Sequence, residues 1–444
     1  MSHASILTSS FNRISSVCFS SRSPPGGLIR QVAVGGFIVG HACLPNHWFH
    51  LGWLLLAGLF ASFASHAPSS GSRSSPDPGV VLTSAFLLWM TLRSCWHGFN
   101  LPDEAYLGLF GAGLLALFCS LLWRPSAFDS SVRQIGLLLG LASSVAVLVS
   151  LYAASHRSSL LFPDQRLHNL LVHGGLNPVC TGLIFGFAAT WLGTLVDRSS
   201  PPTIRYGIYA QIILLYHATF LSGSRGAVLA STCALVALLA AKGWRKGFVP
   251  PFAFLAISAL HLLWPLFLFE ADSVSPPQGH STSLPVPIAA ALERGDSGRF
   301  DIYRAGWLAM DNLWLGTGQW GVRSLWQSHL HQSPDDMMTH LHSAFFATFV
   351  HGGIIGVGLL LALASLGFRR AWSLAVKGDA TWFVLFSFGC AGLLFDGESL
   401  ASLTTAPRFE GLLFWTPLII ALSKESKTSS PPSLAATVPI ASQM

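Results

Sequence analysis

The stretch that decides the fold is RQIGLLLGLASSVAVLVSLYAA, residues 133–154. After Arg133 it carries no ionised side chain, and a helix needs roughly 20 mostly apolar residues to cross the hydrocarbon core of a bilayer. In lipid a single such segment satisfies its own backbone only as a helix. Working outward, the same reading recurs at approximately 31–45, 48–65, 80–98, 104–122, 173–195, 203–221, 226–241, 247–269, 343–367, 381–395 and 408–422, twelve stretches in all. Composition agrees. Of 444 residues 51% are hydrophobic and 10% charged, where a soluble domain carries about 25% charged, and the mean hydropathy is +0.54. So few charges cannot cover soluble domains of this size, which excludes an ordinary soluble enzyme. The expected fold is an all-α polytopic integral membrane protein of about 12 helices.

The segments divide the chain into a polar tail at 1–30, membrane helices over 31–269, a long polar loop at 270–342 with amphipathic helices, further helices over 343–422 and a second tail at 423–444. The first tail is Ser-rich and lacks a continuous apolar core, so a disordered cytoplasmic segment is expected, with a transit peptide as the alternative. The net charge of +6 does not imply nucleic acid, because no clustered basic face with interleaved aromatics is present. The seven cysteines are scattered without a C-x-x-C pair and read as packing residues.

Sidedness follows from charge. Counting by loops, the side of the N-terminus carries 16 Lys and Arg against 5 acids, and the opposite side 9 against 14. Basic residues near helix ends resist translocation, so both termini are expected in the cytoplasm and the 270–342 loop outside. All five lysines fall inside, and every basic residue outside is arginine. Arginine's planar fork grips carboxylate or phosphate bidentately. The bias therefore either marks an anionic substrate outside or reflects a chain rich in arginine overall.

Four clusters at the outer face can carry chemistry. In Ser222-Gly223-Ser224-Arg225-Gly226-Ala227, Ser224 can cap the next helix, whose free N–H groups favour an anion. Arg225 adds a full charge there, unless it snorkels to lipid head groups. In Gly298-Arg299-Phe300-Asp301-Ile302-Tyr303-Arg304, Arg299 opens a helix whose Phe300, Tyr303 and Trp307 share a face suited to the membrane interface. Arg299 and Arg304 can reach a lipid-linked phosphate or pair with Asp296 and Asp301. The following Leu315-Gly316-Thr317-Gly318 reads as a turn.

The third cluster runs from His329 and His331 through Asp335 and Asp336 to His340, Leu341, His342 and Ser343. Imidazoles with carboxylates invite a metal, but residues two apart on a helix point about 200° apart, so neither His-x-His pair chelates unless extended. A histidine acting as general base, a structural histidine and a metal ligand all stand as readings. In the fourth, Phe395-Asp396-Gly397-Glu398, the acids either orient a histidine or sugar hydroxyl, or are simply solvated.

Ser222–Ala227, Gly298-Arg299 with Trp307 and Leu315–Gly318, and His340-Leu341-His342-Ser343 followed by Gly352-Gly353 together resemble the O-antigen ligase family, within the wider group that includes O-antigen polymerases. Ser343 stands where the family usually has Asn. The resemblance implies a fold similar to the GT-C glycosyltransferases, with a long periplasmic loop, in the bacterial inner membrane. It implies transfer of an undecaprenyl-diphosphate-linked glycan to a lipid A–core acceptor among membrane lipids, with no cofactor, metal or nucleic acid. Carried over by position, Arg225 and Arg299 hold the diphosphate and His342 serves the acceptor hydroxyl. Ser224, Arg304, His340 and Asp396 bind substrate. An O-antigen polymerase or protein O-oligosaccharyltransferase is the alternative within enzymes. A transporter or flippase is the alternative outside them, and it predicts charges at mid-membrane.

Overall fold

A computed structural model describes residues 25–44, 47–63, 77–98, 102–123, 131–155, 166–172, 177–196, 201–243, 249–269, 299–319, 340–404 and 409–428. The described elements are helical. They are α1 (Pro25–Cys43), α2 (His47–Phe63), α3 (Pro78–Gly98), α4 (Pro102–Leu122), α5 (Val132–Ser155), α6 (Pro178–Leu195), α7 (Pro202–Leu221), α8 (Arg225–Lys242), α9 (Val249–Phe269), α10 (Arg299–Leu308), α11 (Ala344–Val376), α12 (Thr381–Leu393) and α13 (Thr416–Thr428), the last preceded by a π turn at Gly411–Trp415. Each apolar stretch read from the sequence meets one of these helices, and α10 is the helix expected at Arg299. The first helix begins at Pro25, inside the stretch expected as tail, and the last continues through Thr428.

Among the described residues, five helices are long and apolar enough to cross a membrane by length and composition, namely Pro78–Trp96, Val132–Ala154, Pro178–Leu195, Arg225–Lys242 and Ala344–Val376. Their outward side chains are apolar too, with Leu88, Leu148, Val236 and Leu361 all exposed, as a lipid-facing surface requires. The interior is closed by the large buried rings of Trp191, Trp382, Trp415 and Phe388.

Local sequence explains the helix ends that matter. Proline opens α3, α6 and α7, where its missing N–H costs nothing. Ser224 caps α8, its hydroxyl accepting from Ala227 N at 3.2 Å, as the sequence led one to expect. Ser343 caps α11 in the same way through Phe346 N at 3.2 Å.

One feature was not foreseen. α11 breaks at Gly353, whose φ is +64, and the carbonyls that the break frees are taken up by the Gly-Thr-Gly turn. Thr317 N and Thr317 Oγ1 both donate to Val350 O at 2.9 Å, and Gly318 N donates to His351 O at 2.8 Å. A Cβ on Gly316 would lie 2.5 Å from Gly353 N, so glycine is needed for the close approach. Arg93 of α3 locks the turn from the other side, donating from Nε to Leu315 O at 2.8 Å and from Nη2 to Gly316 O at 2.5 Å. The stretch read only as a turn is therefore the plug of a broken helix.

Candidate active site

The site is built around Asp396, in the turn after α12, with 1% of its side chain exposed. One oxygen does nearly everything. Asp396 Oδ1 accepts from His340 Nε2 at 3.2 Å, from His342 Nδ1 at 3.3 Å and from Gly397 N at 2.9 Å, while Oδ2 is buried and finds no partner among the described residues. Burial works to raise the Asp396 pKa, but the two histidine hydrogen bonds and their charge hold the carboxyl well below its ordinary range. It is thus an ionised acceptor, so each contacting ring nitrogen carries the hydrogen. With Nδ1 committed in this way, Nε2 of a neutral His342 is left as an acceptor. The His342 side chain is 16% exposed, enough for a hydroxyl to approach.

The expectation that His340 and His342 diverge is corrected here. Residues 340–343 are not helical, and His342 takes a left-handed φ of +52, which brings the two rings to 3.8 Å between centroids. The reading of Asp396 as a solvated loop acid falls with its burial. For His340, burial disfavours the imidazolium, yet the Asp396 hydrogen bond and charge, with Glu398 and Glu410 behind them, hold its pKa above the ordinary value. The two ring nitrogens and the carboxylate oxygen lie within 4.8 Å of one another, a donor set that zinc accepts. His329, His331, Asp335 and Asp336 lie outside the described residues.

The arginine clusters converge on the same turn. A Cβ on Gly226, the residue after Arg225, would lie 3.3 Å from Phe395 Cβ, the residue before Asp396. The α8 N-terminus, with exposed Arg225 at its first position, therefore abuts the Asp396 turn. From the other side, α11 is tied to it through Ala344 N and Asp396 O at 3.2 Å.

Tyr303 of α10 packs on Phe346 at 4.8 Å between ring centroids and donates from its hydroxyl to His342 O at 3.4 Å. Burial lifts the Tyr303 phenol above its ordinary pKa, Arg299 pulls it back and Asp396 lifts it further. Both charges are thus felt at one hydroxyl. This corrects the interfacial reading of Tyr303, while Phe300 and Trp307 are exposed as expected. Arg304 is exposed, and among the described residues no ion pair joins it to Asp301.

Arg166 escaped the sequence reading. Its Nε donates to Ser222 O at 2.7 Å, adding a further arginine beside the turn that leads into Arg225.

Residues 210–361 match the O-antigen ligase family. That part of the chain is similar to O-antigen ligases. It runs from within α7 through α8, α9 and α10 into α11, so it contains Arg225, Arg299, His340 and His342. Asp396 lies beyond the matched segment, and its place in the site rests on geometry. No curated protein matches the chain.

Proposed function

We propose that the protein is an O-antigen ligase: a metal-independent glycosyltransferase that moves an undecaprenyl-diphosphate-linked glycan onto a lipid A–core acceptor at the periplasmic face of the inner membrane. The observation that carries the reading is the His342 Nδ1 contact with buried Asp396 at 3.3 Å, made in the turn against which the Arg225 helix end abuts. A carboxylate behind Nδ1 fixes the tautomer and stabilises the imidazolium that forms. His342 Nε2 takes the proton of the acceptor hydroxyl. The hydroxyl oxygen bonds to the anomeric carbon, the sugar–phosphate bond breaks, and its electron pair leaves on undecaprenyl diphosphate. Arg225, Arg299 and the α8 N-terminus meet the charge that develops there. Ser224 holds that helix end, while His340 and Arg304 face the substrates. The activated diphosphate supplies the energy, so no nucleotide is needed.

The membrane arrangement belongs to the same proposal: twelve spans, both termini in the cytoplasm and the 270–342 loop in the periplasm. In a cysteine-free background, Phe300→Cys should react with an impermeant thiol reagent from the periplasmic side and Lys242→Cys should not. The reverse pattern moves the site to the wrong face.

The direct test is transfer by purified protein given lipid-linked donor and lipid A–core. His342→Ala and Asp396→Asn should each lose about 10²–10⁴-fold, the usual worth of a general base. Wild-type protein should keep its rate in EDTA. Loss in EDTA restored by one divalent metal would assign the His340, His342 and Asp396 trio to that metal and end the base reading. Full activity in His342→Ala would end it as well.

A further inference from the structure

Glu410 sits where the chain enters the Gly411–Trp415 π turn, and its residue is 2% exposed. Its Oε1 accepts from Glu398 N at 2.8 Å and from Ser399 N at 3.4 Å. These two amides belong to the turn that carries Asp396. A Cβ on Gly397 would lie 3.0 Å from the same oxygen, and the Gly397 φ of +92 suits glycine. The carboxyl is therefore seated directly beneath the turn.

Its second oxygen, Oε2, is buried and finds no hydrogen-bond partner among the described residues, and the same holds for Oδ2 of Asp396. Burying an acid this way is costly, and an apolar side chain of the same volume would usually be no less stable. Asp396 and Glu410 both reach His340 electrostatically, together with Glu398.

We propose that Glu410 is a positioning residue for glycan transfer: by holding the Glu398 and Ser399 amides it sets where Asp396 meets His340 and His342. This rests on the general-base reading above. Glu410 touches neither substrate in this scheme and acts only through the turn.

The test uses the full-length protein in the transfer assay, with kcat and donor KM measured separately. Glu410→Gln keeps a neutral acceptor at the same reach and should stay within about threefold of wild type. Glu410→Met keeps the volume without the acceptor. It should lose about 10-fold or more in kcat, the cost of one hydrogen bond worth roughly 1.4 kcal/mol, with donor KM and melting temperature little changed. Glu410→Asp, which withdraws the acceptor by one methylene, should behave as Met does and serves if Met misfolds. In the residual activity of Asp396→Asn, adding Glu410→Met should cost nothing further, because the residue through which it acts is already disabled. Wild-type kcat in Glu410→Met, or a loss that multiplies with that of Asp396→Asn, overturns the proposal. If His342→Ala is inactive while Glu410→Met is fully active, only this inference fails. Full activity in His342→Ala means the base reading has failed first.

Discussion

Asp77 and Asp396 are both carboxylates met by basic side chains, the first half-buried before α3 and the second buried after α12, and they are built on different principles. Asp77 is fully subscribed. Arg370 Nη1 donates to Oδ2 at 3.1 Å and Nη2 to Oδ1 at 3.0 Å, Gly79 N donates to Oδ1 at 2.7 Å, and Arg370 Nη1 also reaches Leu422 O at 2.6 Å. The result staples α3, α11 and α13, with Lys424 to Asp379 at 3.1 Å close by. The basic partner there is an arginine, a permanent charge. Asp396 instead crowds three donors onto one oxygen, leaves the other without a partner among the described residues and is met by histidines. A site that only holds helices together closes its hydrogen bonds and uses permanent charge. A site proposed to move protons leaves capacity unused.

The contrast can be broken at either end. The largest effect after loss of the base is expected at the arginines that serve Asp396's end. Arg225→Lys and Arg299→Lys replace a bidentate fork by a point charge, and losing one charge-assisted contact worth roughly 1.5–3 kcal/mol slows transfer by about 10–200-fold. Membranes carrying each variant at matched expression, with donor binding followed separately, provide the measurement. Wild-type transfer would leave the arginines to topology or packing.

At the other end, Asp77→Ala strands Arg370, of which 10% is exposed. Breaking a buried pair from one side costs about 3 kcal/mol, so the melting temperature in detergent should fall while transfer per folded molecule holds. An unchanged melt would show the staple to be ornamental, and a selective loss of transfer would erase the distinction between the two ends. The smallest effect is expected for Arg304→Lys, within about threefold, since Arg304 is exposed and unpaired with Asp301 and a lysine keeps the charge. A loss as large as that of Arg299→Lys would place Arg304 on the diphosphate.

The helices were legible because each span writes its own apolar run, and Arg225, Arg299, His340 and His342 because polar residues at the ends of such runs stand out. What the sequence hid was convergence. Two histidines spaced by one residue diverge on a helix, and nothing in Leu341-His342-Ser343 announces a left-handed φ at a residue with a side chain. Asp396 looked no more buried than any loop acid, because its burial comes from α8 and α11, far away in the chain. Tyr303 fitted an interfacial face by spacing alone, and only the packing of α10 against α11 turns it toward His342. Glu410 left a signal that went unused: an acid inside the apolar stretch 408–422, where a charge is expensive and usually has a purpose.

The break in α11 also bears on timing. Because Thr317 and Gly318 supply the amides that Val350 and His351 lost to the break, the turn that follows α10 and the helix that follows His342 are joined by backbone hydrogen bonds. Under the proposed mechanism, this tie favours a leaving-group arginine and a base that are preorganised with respect to each other before either lipid arrives.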